Sequence, residues 1–167
     1  KTEQKFDVNN RLIEQTSYRK QDSEWQIESQ STGVYTKDTL VETDYEFSEN
    51  KLHPTHRRIT LSNSSGKVTY GETLIWSDST QDWEGFDKTV NHYENDTTLV
   101  AYETYHWKAD RWQNQEKVVY VIDQNNQRTE DYIVYDGIDA RWTPKNKFVQ
   151  TEISEHNRSV SRTSTWS

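Results

Sequence analysis

The sequence predicts an all-β fold: an antiparallel meander of tandem β-hairpin repeats, with about twelve strands in a single-layer sheet that is open or curled. Three observations lead there. Twenty Thr and ten Tyr stand beside three Ala and no Met, a supply of branched and aromatic side chains that packs best on a pleated surface. A pair of aromatic or aliphatic residues seven positions apart recurs five times, at a period of about 29–30 residues. Between the pairs, out of phase with them, lie dipeptides suited to tight turns: Asn9-Asn10, Asp38-Thr39, Ser65-Gly66, Asp96-Thr97, Asn125-Asn126 and His156-Asn157.

Taken in order, residues 1–10 form a partial unit that caps the start of the array. The pair Tyr18/Trp25 brackets the loop 19–24, and Tyr45/Leu52 brackets 46–51 in the least regular unit. Trp76/Trp83 encloses 77–82, Tyr105/Trp112 encloses 106–111, and Tyr135/Trp142 encloses 136–141, before residues 157–167 cap the far end. The clearest unit runs from Leu99 to Ile122: an outgoing strand ends at Tyr105, and Trp112 opens a return strand through Val118-Val119-Tyr120. Pro54 and Pro144 belong at strand starts or loop edges, where no ladder N–H is lost. Short connections make sequence neighbours spatial neighbours, and the whole of residues 1–167 reads as one repeat-built domain.

If the five loops close symmetrically, each pair sits directly across its hairpin, and each contributes roughly 0.2–1 kcal/mol over an Ala pair. One such pair is too little; a ladder of five, made of Tyr18, Trp25, Tyr45, Leu52, Trp76, Trp83, Tyr105, Trp112, Tyr135 and Trp142, supplies a sum. A basic residue follows five positions after most pairs, at Arg57, Lys88, Lys117 and Lys147, with Gln30 as the exception. Outgoing strands carry Glu14, Glu42, Glu72, Glu103 and Glu130, so stacked strands are expected to alternate in sign. Leu74 and Trp76 share one face with Glu72, so no face is purely apolar and a sandwich is disfavoured.

Composition also bounds the chemistry. Twenty basic and 28 acidic residues give a net charge of −8, interspersed along the chain, with no basic stripe for nucleic acid or an anionic membrane. No apolar run approaches the ~20 residues of a membrane helix, so no membrane-spanning helix is expected. Cysteine is absent, no Gly-x-Ser-x-Gly or Ser-x-x-Lys occurs, and five scattered glycines cannot build a phosphate loop. His53 and His56 stand close together, but Pro54 between them points to a loop without further metal ligands. Asp136-Gly137-Ile138-Asp139 reads as a turn before it reads as a calcium loop. No cofactor, metal or catalytic residue is therefore assigned. Among so many carboxylates no pair can be singled out as acid and nucleophile.

The aromatic residues carry the functional expectation. Trp and Tyr at fixed spacing on a sheet can stack on sugar rings or hold an extended ligand, although the reading that they brace a core-poor sheet comes first. Trp107, beside a loop, and Trp166, near the end of the chain, are the candidates for ligand contact.

The segments Trp112-x4-Lys117-Val-Val-Tyr120-x2-Asp123-x-Asn-Asn126 and Trp142-x4-Lys147 resemble the uncharacterised secreted β-repeat proteins of Bacteroidetes, a domain of unknown function. The likeness spans residues 60–150 closely and the first fifty loosely; Leu52 and Arg57 depart from it. What it implies is an exported, non-enzymatic protein of the cell surface or periplasm. Lys1 in place of Met agrees with a removed leader. The expected function is a binding or surface module that contacts glycan or protein; the alternatives are a carboxylate-based hydrolase and a structural spacer.

Overall fold

The computed structural model describes residues 1–120 in full and, beyond them, the strand backbone of 121–122, 128–136, 141–153 and 158–164. Nine strands fall in the first part: β1 (Thr2–Phe6), β2 (Leu12–Gln21), β3 (Glu24–Tyr35), β4 (Thr39–Ser48), β5 (Lys51–Ser62), β6 (Val68–Ser77), β7 (Asp82–Glu94), β8 (Thr98–Trp107) and β9 (Trp112–Ile122). Three more follow, β10 (Arg128–Asp136), β11 (Arg141–Ile153) and β12 (Arg158–Ser164). All twelve lie in one antiparallel sheet in chain order, from β1 at one edge to β12 at the other. The sheet is open, and no helix occurs among the described residues.

A single layer buries little. Among the described residues only Thr16, Thr43, Ala101 and Val118 are buried, and no large side chain is fully enclosed. Stability must then come from the ladder bonds and from contacts between neighbouring strands on each face.

Two devices set the registers. Turns close on residues with positive φ: Asp22 and Ser23 (48° and 79°), Glu49 and Asn50 (50° and 61°), Asn95 and Asp96 (51° and 61°), Ala109 and Asp110 (51° and 55°). Such turns match the right-handed twist of the strands they join. A β-bulge then recurs at the same place in every returning strand. Its extra residue is Glu28 in β3, Thr55 in β5, Phe86 in β7, Gln115 in β9 and Lys145 in β11. A bulge bends its strand and increases the local twist, and further register shifts that skip Ile13 in β2, Thr69 in β6 and Val100 in β8 add to this.

The bulges also explain the prolines. Pro54 and Pro144 lie inside β5 and β11, not at a strand start or in a loop as the sequence suggests, and each immediately precedes the bulged residue. A proline is tolerated where the ladder is already interrupted.

Candidate functional site

Residues that face each other across an antiparallel pair share a face, and alternate residues along a strand return to it. Following the registers from β2 to β9 places Tyr18, Trp25, Tyr45, Leu52, Trp76, Trp83, Tyr105 and Trp112 on one side of the sheet. These are the eight pair residues whose side chains are described. The bulge makes this possible: the extra residue absorbs the odd step that would otherwise turn half of each returning strand to the other face.

Direct pairing differs from hairpin to hairpin. Trp76 faces Trp83 across a four-residue turn, ring centroids 5.3 Å apart at 73°. Tyr135 faces Trp142 in the backbone register of β10 and β11. In the other three hairpins the turn is only two residues long and centred one residue later. Tyr18 therefore faces Ile27, Tyr45 faces Pro54, and Tyr105 faces Asn114. Lys20 stands opposite Trp25 and Phe47 opposite Leu52. Trp112 meets Trp107 instead, edge to face at 5.1 Å, with Tyr105 as its diagonal neighbour. The symmetric six-residue closure expected from sequence is corrected accordingly, because tight turns with left-handed residues formed where longer loops were read.

Trp107 is half-buried and lies over Gly85, where an added Cβ would come within 2.7 Å of its ring. Its neighbours are thus Trp112 and the bare backbone of β7. Trp166 lies outside the described residues. The most exposed aromatic rings on this face are Trp25 at 51% and Phe47 at 37%, which the sequence reading did not single out.

Cations cover several of the remaining rings. The residue two positions after each bulge is Gln30, Arg57, Lys88 or Lys117. The Arg57 guanidinium sits 4.3 Å from the Trp83 ring centre, two strands ahead. Lys88 Nζ lies 4.2 Å from Tyr105 and 4.9 Å from Trp112. At the start of the chain Lys1 Nζ stands 5.0 Å from Tyr18. Arg57 Nε is buried without a hydrogen-bond partner among the described residues, and the aromatic face beside the group compensates in part.

Carboxylates complete the pattern unevenly. Lys117 Nζ donates to Glu103 Oε1 at 2.7 Å, and the Tyr105 hydroxyl donates to Glu103 Oε2. Burial opposes the charge on Glu103, but these two donors outweigh it and hold its carboxyl below the usual range. Burial and the same bond push Tyr105 up to about 12, and Tyr70, which donates to Glu72 at 2.9 Å, is likewise raised to about 12 by burial first and Glu72 second. Glu14 pairs with Lys5 at 2.7 Å. Glu42 departs from the expected alternation: it faces Gly33 and Arg58 on the opposite side of the sheet.

That opposite side is polar. Ser17, Ser29, Ser31, Asp44, Glu46 and His56 line a hollow of about 330 Å³ there, and Glu46 and His56 also line a neighbouring hollow of about 730 Å³ with His53 and Asp78. His53 and His56 lie within β5, not in a loop, facing Glu46 and Asp44. Among the described residues no group of three or more His, Asp or Glu is arranged to hold a metal ion. None of their helices is long and apolar enough to cross a membrane, there being none.

No protein-family model matches this sequence, and no curated protein is similar to it. Solved structures that resemble it include two whose sources are Bacteroides and Parabacteroides. A protein of unknown function from Bacteroides fragilis superposes with a TM-score of 0.57 at 13% identity, over 71% of this chain and 89% of that one. A DUF3836 family protein from Parabacteroides distasonis gives a TM-score of 0.34 at 12% identity, over 77% and 83%. The first shares the fold. That neighbour is itself a protein of unknown function.

Proposed function

We propose that this chain is a non-enzymatic binding module of the bacterial envelope, which holds glycan or protein against the aromatic-bearing face of its sheet. The observation that carries this reading is the concentration of the eight described pair residues on one side, with Trp25 and Phe47 left 51% and 37% exposed there. Aromatic rings that do not finish a core offer a ligand flat apolar surface that binding removes from water. Catalysis is less well served. Preorganised electrostatics needs charged groups buried around an enclosed cleft, whereas here the carboxylates of the polar side line open hollows.

Export, and kinship with the secreted β-repeat proteins of Bacteroidetes, belong to the same proposal; the fold shared with the Bacteroides fragilis protein supports the kinship. Tryptophan fluorescence of the intact chain, titrated with a panel of soluble oligosaccharides and peptides, tests the binding. A saturable change that disappears in Trp25→Ala is expected. A panel with no response at millimolar ligand removes the reading.

A further inference from the structure

The cations on the aromatic face form a series with one gap. In β3, β5 and β7 the residue two places after the bulge faces the next outgoing strand: Gln30 faces Tyr45, Arg57 faces Leu74, and Lys88 faces Tyr105, whereas Lys117 of β9 turns its ammonium back to Glu103. Arg57 and Lys88 reach forward and cap rings of the following hairpin, at 4.3 Å and 4.2 Å. Gln30 is neutral, and its side-chain amide turns back to donate to Thr16 Oγ1 at 3.2 Å. Among the described residues the capped rings are Tyr18, Tyr35, Trp83, Tyr105 and Trp112, so Tyr45 and Phe47, the rings ahead of Gln30, are not among them. The same place holds the most exposed aromatics of this face, Phe47 and, one strand back, Trp25.

The gap therefore coincides with Tyr45, whose counterpart Tyr105 lies under Lys88, and with the exposed Phe47 beside it. A cation over an aromatic face gains most where both are partly desolvated, and the net charge of −8 adds long-range attraction for a basic ligand. Around the rings Lys20, opposite Trp25, and Glu49, in the adjoining turn, are both exposed and of opposite sign, so the rings rather than the rim select the ligand.

We propose that the Gln30 gap is a docking position for a partner protein, which lays a Lys or Arg side chain of an extended basic segment over Tyr45 and Phe47. The partner supplies in trans the group that Arg57 and Lys88 supply within the chain. This rests on the binding reading above and commits it to a cationic peptide over a neutral glycan.

The test titrates the intact chain with tetra-arginine, with tetraglycine as a blank and cellotetraose as a neutral glycan, following tryptophan fluorescence. Saturable tetra-arginine binding is expected. Gln30→Lys, which fills the gap from within, lowers its affinity by about tenfold. Phe47→Ala does the same by removing a ring. Ser65→Lys adds an equal charge on a distant exposed turn and leaves affinity unchanged. Binding unaffected by Gln30→Lys and Phe47→Ala, or weakened equally by Ser65→Lys, overturns the proposal as nonspecific attraction. A Trp25-dependent response to cellotetraose alone overturns it too but leaves the binding module intact; silence with every probe removes both.

Discussion

The second hairpin, β4–β5, and the fourth, β8–β9, share turn length, bulge position and face, yet only the fourth has its rings capped. There Trp112 packs on Trp107 and lies under Lys88, while in the second Leu52 packs on Phe47 behind the neutral Gln30. Both substitutions fall at one interface, although they belong to different repeat units: the cation of one unit acts on the ring of the next. A unit that lacks the cation is followed by one that lacks the tryptophan. Cation and ring thus form one contact that spans the repeat boundary.

The largest contrast is expected from removing that ring. Trp112→Ala should destabilise the chain by about 3 kcal/mol, the low end for a large aromatic, because Trp107 and Lys88 both lose their partner. Leu52→Ala should cost about 1 kcal/mol for the smaller area it exposes. Urea unfolding midpoints compare the two, and equal costs would break the distinction between the hairpins.

Gly85→Ala comes next, at about 2 kcal/mol, because its Cβ would meet the Trp107 ring at 2.7 Å. Gly71→Ala is the matched control: nothing lies within 4 Å of its Cβ, and the shift should be near zero or slightly stabilising. If both variants behave alike, Trp107 is not seated on β7 as described.

Acid should separate the hairpins further. Glu103 has its carboxyl held below the ordinary value of 4.5, so its contribution is complete above that pH and is lost as pH falls through the lower folded value. The position facing the cation in the second hairpin is Thr43, opposite Arg57, which has no such dependence. Glu103→Gln should therefore flatten the acid limb of stability against pH, whereas Thr43→Ser should leave its slope unchanged. At the alkaline end Tyr70 and Tyr105, both raised to about 12, favour the folded state up to pH 10 and lose that contribution as pH rises towards 12. Phenolate absorbance should lose part of its rise near pH 12 in Tyr70→Phe and in Tyr105→Phe.

The smallest effect concerns the turns. Ala109 sits at φ 51° without a side chain suited to that region, whereas Asn50, at 61°, is. Ala109→Gly should raise stability by about 0.5–1 kcal/mol, and Asn50→Gly by less, in thermal unfolding.

Much of this architecture was legible in the residues. The period, the antiparallel order and the sheet composition follow from spacing and residue type. The registers did not follow, because a bulge leaves no mark in alternation alone: Thr55 and Phe86 look like any strand residue, and only Pro54 hints at an interrupted ladder. Turn length was hidden for a related reason. Asp22-Ser23, Glu49-Asn50 and Ala109-Asp110 adopt left-handed conformations without the Asn-Gly or Asp-Gly that announces them. Sequence reads Trp25 as a brace of the ladder and passes over Phe47, because exposure on a single layer depends on which neighbours reach over a ring, and Arg57 and Lys88 act from two strands away.

That reach of two strands sets a natural unit of exchange. Excising one hairpin at equivalent turns would remove an even number of strands and leave every remaining strand antiparallel to its new neighbour. Each cation would still find a ring ahead of it wherever the spliced hairpin carries a tryptophan. An array whose longest-range bond is so short can grow or shrink by whole hairpins without redesign of the rest, and its length is then free to answer to whatever span its surroundings require.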